Sequence, residues 1–107
     1  MFILLEQRRH TMIKVVAKNY IKSDKVDEFI TLAGQLVKDT NSKDKGCIAY
    51  DVFQDLTDSH IFTFIEEWEN KEALDQHMSA DHFKEAMIHF KDLMEKPGDV
   101  NLYKKVD

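Results

Sequence analysis

Polar and apolar residues alternate along Met12–Ile21. Ile13, Val15 and Ala17 share one side, with Asn19 next in that row; Lys14, Val16, Lys18 and Tyr20 share the other. Period two predicts a strand. The spacing then changes to that of a helix: Val26, Phe29, Ile30, Ala33, Leu36 and Val37 recur on one face through about Thr40, with Ser23 or Asp24 as the expected N-cap. A polar turn over Asn41–Gly46 leads into a second strand, Gly46–Asp55, with Ile48, Tyr50 and Val52 on one face. Leu56–Ser59 is a connection of hairpin length. The third strand, His60–Trp68, looks apolar on both sides, with Phe62, Phe64 and Trp68 opposite Ile61 and Ile65. Such a strand is central and covered twice. Asn70 caps a short helix carrying Ala73, Leu74 and His77 or Met78 on one face, and Ser79–Asp81 interrupts it. Phe83, Ala86, Met87, Phe90 and Met94 form the stripe of a further helix, Asp81–Glu95, which Pro97–Gly98 stops before a last strand over Val100–Val106.

The element order is β-α-β-β-α-β with its second helical segment broken in two. That is an α+β, ferredoxin-like split βαβ pattern with a four-stranded antiparallel sheet. The helices cover one face of that sheet. The doubly apolar third strand needs cover on the other, and a second copy of the sheet in a C2 homodimer supplies it.

At 107 residues the chain is one domain, expected over residues 12–107 with residues 1–11 as an N-terminal extension. A net charge of −5, with acidic and basic residues well mixed, argues against a nucleic-acid partner, which needs a basic patch. No apolar run approaches the roughly 20 residues that cross a bilayer. The apolar run of MFILLEQRRHT precedes its charges, the reverse of a secretory signal. Cys47 is the only cysteine, which excludes an internal disulfide and fits a cytoplasmic protein.

Candidate chemistry concentrates in Glu66–Phe83. His77 lies beside the apolar stripe of its helix, either as a core histidine bonded to a backbone carbonyl or Glu67, or as an acid/base facing a substrate. His82 opens the next helix, where the positive helix end favours a neutral imidazole; the alternative is a surface histidine. Trp68 is a core residue or an indole donor. Asn19, polar in an apolar row, bonds the backbone or a ligand. Glu66 and Glu67 point to opposite faces and form no carboxylate pair. His82, Glu85 and His89 lack any closed ligand set, Cys47 lacks a neighbouring base, and the three glycines form no phosphate loop, so no metal and no cofactor are expected.

The run GCIAYDVFQD followed by FIEEWENKEALDQHMSADHFK resembles the antibiotic-biosynthesis monooxygenase-like family of dimeric α+β barrels. The matching positions are Trp68, Ala73, Leu74, His77, Ser79, His82, Phe83 and Lys84, and the pattern of elements covers about residues 12–106. Where haem-degrading members carry a Trp and an axial His, this chain has His77 and Met87, so haem is not expected. The resemblance implies oxidation of a small electron-rich aromatic of quinol type with O2 and no bound cofactor, by a monooxygenase. For that chemistry the catalytic candidates are His77 and then His82 as base, with Asn19 or Trp68 as donor to the developing oxyanion. Tyr50, Phe62, Phe64, Phe83 and Met87 are the candidate substrate contacts. The alternatives are a proton-transfer enzyme acting on a small hydroxycarbonyl or phosphorylated compound, gripped by Lys84, and a ligand-binding stress protein without turnover.

Overall fold

A computed structural model describes residues 12–106 of the chain. The expected extension, residues 1–11, and the last residue of the domain lie outside the described residues. The elements run β1 (Ile13–Ile21), α1 (Val26–Lys43), β2 (Cys47–Gln54), β3 (Ile61–Trp68), α2 (Lys71–Ser79), α3 (Asp81–Leu93) and β4 (Met94–Lys104). The four strands form one antiparallel sheet in the order β2-β3-β1-β4, which is the ferredoxin-like topology. The helices lie on one face. Val15, Phe62, Phe64, Trp68 and Tyr50 from the sheet pack there with Phe29, Ala33 and Leu36 of α1, Leu74 of α2 and Phe90 of α3. Phe29 is the hub of the aromatic packing, with ring centroids 5.1 Å from Phe62 and 4.8 Å from Phe90.

Four local expectations are corrected. First, α1 begins at Val26 after Lys25, without a side-chain cap from Ser23 or Asp24, and it continues three residues past Thr40. The polar side chains of Asn41 and Ser42 are accommodated there by bonding carbonyls of the preceding turn. Second, Ile48 does not share the face of Tyr50 and Val52. A bulge between Cys47 and Ala49 inserts it as an extra residue, and it is 46 % exposed. Third, α3 ends at Leu93, two residues before Glu95. Fourth, β4 starts at Met94 and runs through Pro97–Gly98 rather than beginning after it. An edge strand tolerates a proline, which has no N–H to give, and the β1–β4 register shifts in this region. Gly98 is required there, since a Cβ would run into the Lys18 carbonyl oxygen.

Candidate active site

The turn after α1 and the buried face of α2 are brought together by close backbone approach. Asp44 ends α1, its N–H bonded to the Thr40 carbonyl at 3.0 Å. Two residues on, Gly46 has φ +80°, and a Cβ on it would lie 2.6 Å from the Ala73 Cβ. Only glycine permits both the backbone turn and that approach. Asn70 caps α2 by accepting the Ala73 N–H at 2.9 Å. His77 is one turn beyond Ala73 on the same face, so it faces the turn that carries Asp44.

His77 is 1 % exposed, packed among Trp68 (ring centroids 4.6 Å), Phe83 (4.7 Å) and Tyr50 (5.1 Å). Its Nδ1 lies 2.6 Å from the Asp44 carboxylate, and Nε2 of His82 lies 3.0 Å from the same group. A carboxylate only accepts, so both nitrogens carry their protons. That leaves Nε2 of neutral His77 as a bare acceptor, and it is buried with no hydrogen-bond partner among the described residues. Burial lowers the His77 pKa, against the opposing pull of Asp44. Burial therefore favours the neutral imidazole, and the Asp44 bond fixes its tautomer and orientation.

A cavity of about 260 Å3 opens between the helices and the helix-facing side of the sheet. His77, Asn19, Tyr50, Phe64, Phe83 and Met87 all line it, and so does Glu66. The other predicted site residues are elsewhere. Phe62 is in the core against Phe29. Trp68 is fully buried beneath His77, outside the lining. His82 sits behind Asp44 and faces an outer groove with Asp39, Glu85 and His89. Lys84 is exposed.

The two expected oxyanion donors are already engaged. The Asn19 amide donates to the carbonyls of Ala17 (3.1 Å) and Phe62 (3.3 Å), and the Trp68 indole donates to Glu66 Oε1 at 2.9 Å. Glu66 is 6 % exposed, and burial raises its carboxyl pKa to about 7 despite the indole bond. Tyr50, its cross-strand partner, has its phenol pKa raised by burial and by the Glu66 charge. Cys47 is pushed up to about 11 by burial and nearby carboxylates, which makes it a poor nucleophile.

Sequence reasoning missed two groups. Asp44 lies in a turn whose composition is polar throughout, so nothing marked it. Glu66 did carry a signal, as the single acid in the inward row Phe62–Phe64–Glu66–Trp68. Asp44, His77 and His82 also set three ligand-type atoms within 4.8 Å of one another. Ligands around zinc stand roughly 3.3 Å apart, wider than the 2.6 Å Asp44–His77 contact. Holding an ion would remove both bridging protons and spread the group.

The antibiotic biosynthesis monooxygenase family matches this chain over residues 12–87. The crystal structure of a conserved protein from Methanosarcina mazei Go1 superposes with a TM-score of 0.87 at 40 % identity, covering 94 % of this chain and 99 % of that one. A crystal structure described as an antibiotic biosynthesis monooxygenase gives 0.84 at 35 % identity, covering 89 % and 99 %. An uncharacterized protein of Synechocystis is 38 % identical over 91 residues, covering 84 % of this chain; the chain spans 61 % of that relative's length. The fold and the site define a small ferredoxin-like α+β domain with an apolar cavity against a buried histidine. The chain belongs to the antibiotic biosynthesis monooxygenase family.

Proposed function

We propose that this protein is a cofactor-independent monooxygenase that oxidises a small electron-rich aromatic of quinol type with O2. The observation that carries this reading is the His77 imidazole in the lining of an apolar cavity, tethered by Asp44 through Nδ1 and left with a buried, unpartnered Nε2. Family membership supplies the reaction class. In the proposed reaction, Nε2 removes a phenolic proton, and the resulting phenolate is electron-rich enough to reduce O2. A ring C–H is replaced by C–O: hydroquinone plus O2 gives hydroxyquinone plus one water, with all four electrons coming from the substrate. Phe64, Phe83 and Met87 give the anion apolar walls.

The proposal includes a cytoplasmic homodimer. The far sheet face carries Val16 and Ile61, half-buried, and Ile65 and Phe53, exposed. A second sheet packed there would bury this apolar strip. No helix among the described residues is long and apolar enough to cross a membrane. The phosphate-gripping alternative draws no support from the cavity, which no Lys or Arg lines among the described residues.

Oxygen uptake by metal-free protein over a panel of quinols tests the reading. His77→Gln should lower the rate about a hundredfold, the lower range for a lost general base, with the fold intact by circular dichroism. Equal rates for the two proteins would remove His77 from the reaction.

A further inference from the structure

An ionised phenol in an apolar cavity needs a hydrogen-bond donor, and the donors expected from sequence give their protons to other groups. Both Asn19 N–H bonds go to main-chain carbonyls, and the Trp68 N–H goes to Glu66. Two oxygen-bearing side chains remain in the lining, on adjacent strands, and the Tyr50 hydroxyl sits beside the Thr40 hydroxyl of α1, from which it can accept while keeping its own proton to give. Glu66 of β3 and Tyr50 of β2 are paired in register on the helix-facing side, which places their Cβ atoms about 5 Å apart.

We infer that Glu66 is a further catalytic residue: its neutral carboxyl group donates, together with the Tyr50 hydroxyl, to the substrate oxygen from which His77 takes the proton. This rests on the reading of the cavity as a substrate site. The Trp68 indole is a positioning residue in this scheme. It fixes Oε1, so the acidic hydrogen sits on Oε2. The step needs no further reactant. The phenolic proton ends on His77 Nε2, the negative charge stays on the substrate oxygen, and the Glu66 and Tyr50 hydrogens remain in place as donors. A carboxylic acid kept neutral beside a tyrosine is an effective oxyanion site, because both donors are fixed before charge develops.

The surroundings favour the neutral form. The other ionisable groups near Glu66 are Tyr50 and Cys47 on β2 and His77 on α2, with Asp44 at the end of α1 bonded to His77 and acting on both β2 groups. From β1, β4 and α3 every lining residue is uncharged, with the Asn19 amide the one polar group among them. No cation among the lining residues stabilises a carboxylate there. The carboxyl group gives up its proton near pH 7, so donation is available below neutrality and lost above it.

The test uses 1-indanone, an aromatic ketone that accepts hydrogen bonds and neither titrates nor reacts with O2. Binding is measured by calorimetry and by the shift of its C=O stretch at pH 5.5 and 8.5. Wild type should bind at least tenfold more tightly at pH 5.5, with the carbonyl stretch lowered there. Glu66→Gln offers an amide donor that does not titrate, and it should bind equally at both pH values. Equal wild-type affinity at both pH values, absence of binding at either, or an unchanged pH dependence in Glu66→Gln would overturn the inference. The expected binding pattern without any quinol-dependent O2 uptake would overturn the proposed oxygenase reaction and leave the donor pair standing.

Discussion

Replacing Asp44 by Ala will lower the unfolding free energy by about 3 kcal/mol, the upper end of the range for leaving a buried donor unsatisfied, because two imidazole donors lose a charged acceptor. The carboxylate accepts from two imidazoles, at 2.6 and 3.0 Å, and its side chain is 8 % exposed. Truncation leaves the Nδ1–H of His77 without its acceptor in a site walled by Trp68, Tyr50 and Phe83. The same change frees the imidazole to adopt its other tautomer, so O2 uptake should fall as well. Asp44→Asn keeps one acceptor oxygen and should recover part of the stability. Urea unfolding of the three proteins measures this, and a loss below about 1 kcal/mol for Asp44→Ala would mean the bridge contributes little beyond an ordinary hydrogen bond.

Glu66→Gln will stabilise the domain at pH 8 by about 3 kcal/mol more than at pH 4.5. The folded-state pKa of Glu66 is about 7, raised by burial from an ordinary value of 4.5. Below pH 4.5 the group is neutral in folded and unfolded chains, and it costs nothing. Between pH 4.5 and 7 the unfolded chain ionises while the folded one retains its proton, so stability falls as pH rises. Above pH 7 the cost is complete, at about 1.4 kcal/mol for each pH unit between the two values. Glutamine still accepts the Trp68 N–H but never charges, so the variant escapes that loss. Chemical denaturation at both pH values gives the comparison. Parallel pH dependence in the two proteins would show that the carboxyl is better solvated than its burial implies.

How far the sequence disclosed this depends on the range of the interaction involved. Elements set by local periodicity were legible: the alternation in β1 and β3, the stripe of α1 and the Asn70 cap all reappear in the structure. The failures came where tertiary contacts override local signals. Pro97–Gly98 reads as a stop, yet pairing between Ile21 and Met94 recruits the preceding residues into β4. The Ile48 bulge is invisible because a strand with one extra residue keeps an apolar pattern. In the site, His77 and the cavity wall at Asn19, Tyr50, Phe64, Phe83 and Met87 followed from element faces. Phe62, Trp68 and His82 lie outside that wall, because a facing side chain still needs to be at the right depth along its element. Asp44 was out of reach, since its partner is 33 residues away and only the Gly46–Ala73 approach joins them.

The central claim is that His77 Nε2 meets a phenolic hydroxyl inside the cavity. Long-range 1H–15N spectra of the imidazoles, recorded with and without saturating 1-naphthol, test it most directly. The free protein should show His77 neutral with its proton on Nδ1, and naphthol should move the His77 Nε2 resonance while leaving His60 and His89 in place. A His77 signal that naphthol does not move, or one whose proton is on Nε2 in the free protein, would contradict the account.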